Sequence, residues 1–96
     1  MPTYICLLRW TAKGIENIKD SPSRLDAARK VMQSSGATLK DFYMVTGQYD
    51  MVITAEAPDD ASIAKAILAI ASKGAVQSET MRAFTESEYR SIVSGL

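Results

Sequence analysis

A short glycine-containing segment, Gly47-Gln48-Tyr49-Asp50, holds the residue types best suited to binding in this chain. An aspartate in a tight turn accepts backbone N–H groups, and a glycine adopts positive φ values that other residues avoid. The segment therefore predicts a turn with Gly47 at positive φ and Asp50 accepting hydrogen bonds across it. Tyr49 and Asp50 then serve either the turn alone or a ligand or neighbouring subunit, and both interpretations fit the sequence.

Two arginines, Arg9 and Arg82, lie within segments whose other residues are typical of strands. A buried guanidinium needs a carboxylate partner, and for Arg9 the candidates are Asp50, Glu56 and Glu79. Each arginine is therefore expected to reach solvent, to bind an anion, or to form an ion pair, for Arg9 at a subunit interface. Aromatic side chains could orient a small ligand beside them. The full set of ligand-binding or interface candidates is Arg9, Trp10, Tyr43, Gly47, Tyr49, Asp50 and Arg82.

The chain contains no histidine and only one cysteine, Cys6, in the middle of an apolar segment. Without histidine, a serine or cysteine nucleophile lacks its usual base, and the commonest ligand of haem and zinc is missing. The acidic residues do not follow the spacing of a calcium loop. The sequence therefore assigns no catalytic residue, and we expect no metal and no haem, flavin or other cofactor.

Length and charge narrow the classes of partner. A chain of 96 residues predicts one domain, residues 1–96. Lys plus Arg and Asp plus Glu number 11 each, which disfavours nucleic acid because phosphate binding needs a basic field. No apolar run approaches the ~20 residues of a membrane span, so no membrane is expected. A single cysteine and the lack of a secretory signal favour the cytoplasm.

The order of apolar stretches and turn residues predicts the elements that position these candidates. Four strands are expected at 3–10, 39–46, 51–57 and 75–84, with helices at 22–35, from 58 to Gly74, and after Thr85. Ser21 is expected as the first N-cap, Gly36 and Gly74 as left-handed helix ends, and Thr85 with Glu88 as a capping box. The pattern βαββαβ is that of the ferredoxin-like α+β fold, an antiparallel sheet with two helices on one face, here followed by a C-terminal helix.

Apolar residues occur on both faces of this predicted sheet. In the first strand, alternation places Tyr4, Cys6, Leu8 and Trp10 on one face and Ile5 and Leu7 on the other, and the third strand sets Met51, Ile53 and Ala55 against Val52. In the second strand, alternation places Leu39, Tyr43 and Val45 on one face and Phe42 and Met44 on the other. Two helices cover only one face, so we expect a second copy to cover the other, as in dimeric α+β barrels. The alternative is that the last helix folds back over it.

Residues 46–53, Thr46-Gly47-Gln48-Tyr49-Asp50 followed by Met51-Val52-Ile53, resemble the GYD domain family of bacteria and archaea. The segments 8–11, 21–24 and 82–85 share in this similarity, which spans nearly the whole chain. The Gly-x-Tyr-Asp pattern that names the family is present as Gly47 to Asp50. The resemblance implies the fold, and it names no substrate.

Residues 37–84 are also distantly similar to the effector-binding domain of AsnC/Lrp regulators, through the same Gly-x-Tyr-Asp turn and Gly74-Ala75-Val76 with Thr80. The resemblance implies that the turn and the loop before the fourth strand line an amino-acid site between subunits. Ala75 separates the Gly–Val pair of that family, and no helix-turn-helix precedes the domain. These departures exclude a transcription factor and leave a stand-alone effector domain as one possibility.

Together these patterns predict a small homo-oligomer that binds or senses a small molecule at its subunit junctions. The alternative is a cofactor-independent enzyme of the dimeric α+β barrel type that acts on a small, partly apolar substrate. An enzyme needs an enclosed cavity inside each protomer with a polar group directed into it. A sensor places its polar residues at a junction between chains, and a scaffold needs the interface alone.

Overall fold

A computed structural model describes all 96 residues. Its strands are β1 (Thr3–Trp10), β2 (Thr38–Met44), β3 (Met51–Glu56) and β4 (Val76–Ala83). Its helices are α1 (Ala12–Glu16), α2 (Ser21–Ser34), α3 (Asp60–Ala71) and α4 (Glu86–Ser94), and a 3-10 turn at Ile18–Asp20 leads into α2. None of these helices has both the length and the apolar character needed to cross a membrane.

The four strands form one antiparallel sheet in the order β2-β3-β1-β4, with β1 and β3 in the centre. The buried residues of α2 and α3 join the core on one side, which we call the helix face. The other side is the open face, whose residues are Ile5, Leu7, Arg9, Tyr43, Val52, Thr54, Gln77, Glu79 and Met81. This architecture confirms the predicted ferredoxin-like α+β fold.

The core follows from alternation in the two central strands. Residues of β1 and β3 that point to the helix face are buried, except Trp10, which is half-buried, and those between them are half-buried or exposed. Each large apolar side chain removed from water in this way contributes roughly 1.5–3 kcal/mol. The buried cluster is Tyr4, Cys6, Leu8, Met32, Ala37, Leu39, Met51, Ile53, Ala55, Ala57, Ile63, Ala66 and Ile67.

The helix ends confirm most of the predicted caps. Gly36 and Gly74 have φ values of 81° and 85°, where residues with a Cβ are strained. Thr85 and Glu88 form the reciprocal hydrogen bonds of a capping box. Ser21 is a correction, because the 3-10 turn makes Asp20 the N-cap and Ser21 is already helical, with φ −56° and ψ −43°.

A register shift between Leu39 and Asp41 overturns the predicted alternation of β2. The extra residue reverses the facing of every side chain after it, so Phe42 pairs with Ile53 and packs against the core. Tyr43 pairs with Val52 and lies on the open face, not on the face of Leu39 as alternation predicted. Regular alternation cannot reveal a bulge, and this segment has no glycine to mark one.

The C-terminal helix α4 does not fold back over the open face, so that alternative was wrong. Its apolar residues Tyr89, Ile92, Val93 and Leu96 are all at least 46% exposed. The molecule is correspondingly thin and elongated, 49 × 30 × 17 Å. Within one protomer the open face and the apolar side of α4 are therefore both uncovered.

Candidate functional site

The turn between β2 and β3 is fixed to the end of β1 through Asp50. Its backbone N–H donates to Leu8 O at 2.9 Å, and its carboxylate Oδ2 accepts the backbone N–H of Trp10 at 3.0 Å. Asp50 O accepts from Val45 N, which closes the turn at 2.8 Å. The aspartate therefore extends the pairing of β1 beyond the last ladder bond, whereas the sequence predicted that it would accept hydrogen bonds across its own turn.

Arg9 and Tyr49 meet beside this turn on the open face. Arg9 Nε donates to Gln48 O at 2.5 Å, and its guanidinium carbon lies 4.6 Å from the centre of the Tyr49 ring, a cation–π geometry. The Tyr49 hydroxyl donates to Glu79 Oε2. This hydrogen bond to a carboxylate raises the pKa of Tyr49, so the hydroxyl stays protonated as a donor. We call Arg9, Tyr49 and Glu79 the Arg9 cluster.

The Arg9 cluster lines a depression of about 390 Å³ whose other walls are Leu7, Gln77 and Ser78. The register of β1 and β4 creates it, because Arg9 lies opposite Gln77 and Leu7 lies opposite Glu79. None of the chain's salt bridges includes Arg9. The predicted ion pair is therefore not formed within the protomer, since Asp50 is engaged by Trp10 and Glu79 by Tyr49. A guanidinium and a carboxylate are presented on either side of one tyrosine.

Arg82 lies on the opposite face of the sheet from the Arg9 cluster. Its guanidinium donates to Thr3 O and Ala83 O, lies 3.8 Å from Glu88 Oε2, and is 4.4 Å and 5.9 Å from the rings of Phe84 and Tyr4. Tyr4 in turn donates to Asp60 Oδ1, and this bond together with burial raises the pKa of Tyr4 to about 12. Arg82, Tyr4 and Asp60 form a second group, the Arg82 cluster.

The remaining candidates are spread over the molecule. Tyr43 is exposed on the open face at the β2 edge, and the Trp10 side chain is half-buried on the helix face. Gly47 is exposed and does not have positive φ, so that part of the prediction was wrong. A Cβ at Gly47 would meet no atom within 4 Å, so the turn does not require glycine there. Gln77 and Ser78 were missed, and only the pairing of β1 with β4 identifies them.

A separate cavity of about 90 Å³ lies on the helix face between the sheet and α2. Twelve of its 15 lining residues are apolar, and the polar ones are Ser21, Arg24 and Lys73. Its volume is well below the ~300–1,000 Å³ of ordinary small-molecule sites. No group of three His, Cys, Asp or Glu side chains in the chain is placed to hold a metal ion.

One curated relative covers most of the chain. It is the glutamine synthetase and cystathionine beta-lyase binding protein of Thermus thermophilus, 36% identical over 84 residues, which are 86% of this chain and 88% of that protein.

Two solved structures share the fold. A feast or famine regulatory protein from M. tuberculosis, complexed with L-methionine, aligns with a TM-score of 0.67 and 12% identity over 88% of this chain and 51% of its own. A leucine response regulatory protein of Mycobacterium tuberculosis aligns with a TM-score of 0.65 and 12% identity, with the same coverage of 88% and 51%. The chain thus spans about half the length of these regulators. At such identities the likeness shows the fold alone, and it agrees with the expected similarity to the AsnC/Lrp effector-binding domain.

A protein-family model supplies the remaining comparison. The model of the GYD domain matches residues 4–93, which include β3, all of β1 but its first residue, the Arg9 cluster and most of α4. Family resemblance, fold and the Gly47 to Asp50 turn therefore agree, and the chain belongs to the GYD domain family.

Proposed function

We propose that this chain is a non-catalytic binding module that forms a homodimer through its open face and binds a small zwitterionic metabolite at the Arg9 cluster. The observation that carries the proposal is a guanidinium without an ion-pair partner and a carboxylate, both in contact with Tyr49, on the face that the helices leave uncovered. A second copy completes the walls of the depression, so the ligand lies at the junction of two chains.

The composition of the open face supports assembly. Val52 is flanked by Tyr43 and Leu7, and Ile5 lies opposite Met81 on the same face. Tyr43 and Met81 are exposed, and the apolar residues of the central strands, Ile5, Leu7 and Val52, are half-buried. The four strands average about 24 Å in length and lie about 4.8 Å apart, so the face presents roughly 460 Å². Two such faces bury roughly 900 Å² as flat areas, and the side chains that project from them raise the total toward the ~1,200 Å² at which specific interfaces begin.

The chemistry of the Arg9 cluster selects the ligand class. Arg9 uses only Nε within the chain, so its terminal N–H groups can hold a carboxylate. Glu79 accepts from Tyr49 through Oε2, which leaves Oε1 for an ammonium group. A molecule with one carboxylate and one ammonium a few ångströms apart satisfies both groups. The regulator of the same fold that is complexed with L-methionine supports this choice of ligand.

The geometry supports binding over the alternative of a cofactor-independent enzyme. The enclosed space of the protomer, the helix-face cavity, is small, and its polar lining residues include no carboxylate or thiol. The polar residues that carry opposite charges lie instead on the face proposed as the junction. The name of the Thermus relative, a binding protein, points in the same direction.

Assembly is tested by sedimentation velocity at tens of micromolar protein. The wild type is expected to sediment as a dimer or larger and to bury at least ~1,200 Å² per contact. Val52→Lys places a charge between Tyr43 and Leu7 on the open face and is expected to give a monomer. Ala69→Lys on the exposed side of α3 is the matched control and should leave assembly unchanged. A wild-type protein that sediments as a monomer would rule out the dimer.

Ligand binding is tested with a panel of amino acids in a thermal-shift assay, followed by calorimetry. Arg9→Gln and Glu79→Gln are each expected to abolish the shift produced by a binding amino acid, and Arg90→Gln on α4 is the control. If the wild type responds to no amino acid, or if the Arg9 and Glu79 variants respond as the wild type does, the proposed ligand class is wrong. The sedimentation result stands separately.

We also propose a second role, docking of an enzyme on the apolar side of α4. The relative named for binding glutamine synthetase and cystathionine beta-lyase supports it, as do the exposed Tyr89, Ile92, Val93 and Leu96. We infer the reducing cytoplasm as the location, since Cys6 is free. Ile92→Asp is expected to abolish capture of either purified enzyme of the same organism, and Ser91→Asp on the opposite side of α4 is the control. Equal capture by both variants would exclude α4 as the docking surface.

A further inference from the structure

We propose that the helix-face cavity is a second binding site, for a small amphiphilic anion with a short apolar chain or ring inside and an anionic head group at Arg24 and Lys73. We call it the α2 cavity, defined by Trp10, Leu25, Phe42 and Ile70 with Arg24 and Lys73 among its polar lining residues. It lies on the opposite side of the sheet from the Arg9 cluster, so this site is independent of the proposed function.

The core is incompletely filled at this point. Five apolar side chains pack against the core without being buried, namely Trp10, Leu25, Phe42, Ile70 and Val76, and all five line the α2 cavity. The only buried residue of α2 is Met32, in its last turn, whereas Ala27 and Ala28 at its middle line the cavity with small side chains. The first half of α2 therefore leaves apolar space that a ligand can fill, and cavities of this kind bind apolar groups.

Two cations lie at the wall of this apolar space. Arg24 is half-buried, and its guanidinium donates to Asn17 O at 2.8 Å and to Gly14 O at 3.2 Å, which holds it in place. Carbonyl oxygens orient the guanidinium without neutralising it. Neither Arg24 nor Lys73 takes part in any salt bridge, although Asp20 and Asp26 lie near Arg24 in sequence. Both positive charges therefore remain available to an anion.

Other elements add to the positive field. Ser21, Arg24 and Leu25 of the first turns of α2 line the cavity, so the positive end of the helix dipole points to the same region. Lys13 donates through Nζ to Lys73 O at 3.1 Å and so brings a third cation near. An ammonium ligand would be repelled here, and a fully polar anion would leave the apolar walls unfilled. A ligand with an anionic head group on an apolar body can pair with the cations and also fill the apolar space.

The test uses Trp10, the only tryptophan of the chain, as a reporter in the wall of the cavity. The probes are acetate, butanoate, hexanoate and octanoate at constant ionic strength, with hexanol and hexylammonium as charge controls. Affinity is expected to rise roughly fourfold per methylene until the cavity is full, and then to level off. Hexanoate should bind more tightly than hexanol, and hexylammonium should not bind.

Variants distinguish the contribution of the head group to binding from the contribution of the apolar space. Arg24→Gln is expected to weaken hexanoate about tenfold and to leave hexanol unchanged, as expected for loss of one charge-assisted hydrogen bond. Ala28→Phe fills the cavity and should abolish binding of both, and Ala69→Phe on the exposed side of α3 is its control. Arg9→Gln should leave hexanoate binding intact, which separates this site from the Arg9 cluster.

The wild-type protein gives a second measurement that needs no variant to fold. Methyl resonances of Leu25, Val31 and Ile70 should shift on titration with hexanoate, and those of Ile92 on α4 should not. The proposal is overturned if hexylammonium or hexanol binds as tightly as hexanoate, if affinity does not depend on chain length, or if these methyl resonances do not move.

Discussion

The Arg9 cluster and the Arg82 cluster each combine an arginine, a tyrosine and a carboxylate, and each takes two of its three members from β1 and β4. In each, an arginine lies over a tyrosine ring and the tyrosine hydroxyl donates to a carboxylate. In each, β1 and β4 supply the arginine and one further member, so the two groups differ chiefly in the face of the sheet on which they lie.

Their surroundings separate them. Tyr4 is 2% exposed, and its hydroxyl ties β1 to Asp60 in the first turn of α3. Arg82 is engaged by two backbone carbonyls and by Glu88. In the Arg9 cluster, Arg9 is exposed and makes one hydrogen bond, through Nε. The Arg82 cluster therefore joins elements of the fold, whereas the Arg9 cluster keeps polar capacity for a partner.

Truncating the tyrosines should give the largest contrast. Tyr4→Ala removes a buried ring from the core and is expected to lower the free energy of unfolding by about 3–5 kcal/mol, as for other buried aromatic residues. Tyr49→Ala removes a half-buried ring and should cost about 1 kcal/mol or less. Urea denaturation at one fixed protein concentration measures both. Similar losses would mean that both clusters are structural.

The pH dependence should also differ between the clusters. The pKa of Tyr4 is raised from 10.0 to about 12 by its hydrogen bond to Asp60. The stability from this bond is complete below pH 10 and is lost as the pH rises toward 12, because the unfolded chain ionises first. In Tyr4→Phe the urea midpoint of unfolding should therefore decrease less between pH 10 and 12 than it does in the wild type. Tyr49→Phe should reduce this decrease by a smaller amount, and an equal effect of the two variants would contradict the difference in burial.

Asp50→Asn tests whether the turn beside the Arg9 cluster is more than structural. Weakening the hydrogen bond from Trp10 N is expected to cost ~1 kcal/mol. If Asp50 also serves a subunit junction, ligand response or oligomer size changes by more than this loss explains. Melting temperature measures the loss of stability, and sedimentation measures the oligomer size. Asp41→Asn is the control, since the Asp41 carboxylate accepts a hydrogen bond from the Thr54 hydroxyl. Lost stability with unchanged assembly and ligand response would leave Asp50 a turn residue.

The arginine variants should have the smallest effects on stability. Arg82→Gln loses a partly exposed ion pair with Glu88 and is expected to cost about 0.5–1 kcal/mol. Arg9→Gln should change the free energy of unfolding by no more than about 0.5 kcal/mol, because Arg9 is exposed. Only Arg9→Gln should alter the response to amino acids. A response lost equally in both variants would remove the functional distinction between the clusters.

Some features of these clusters were predictable from sequence and others were not. Side chains alternate between the two faces of a strand, so residues 79 and 82 point to opposite faces. This alternation alone predicts that Arg82 does not lie beside Glu79. Arg9 and Glu79 line the same depression only because of the register between β1 and β4, and these two residues are about 70 positions apart in the chain. Tyr43 was assigned to the wrong face because the bulge after Leu39 reverses the strand.

The sequence by itself determined the order of helices and strands, the left-handed ends at Gly36 and Gly74, and the capping box at Thr85. These features depend on neighbours within a few residues, where backbone preference and alternation act directly. Only the tertiary structure decided that α4 leaves its apolar side uncovered, that α2 leaves a cavity beside Trp10, and that Arg9 and Glu79 both contact Tyr49. Each of these depends on how distant segments pack, and packing is set by the whole fold.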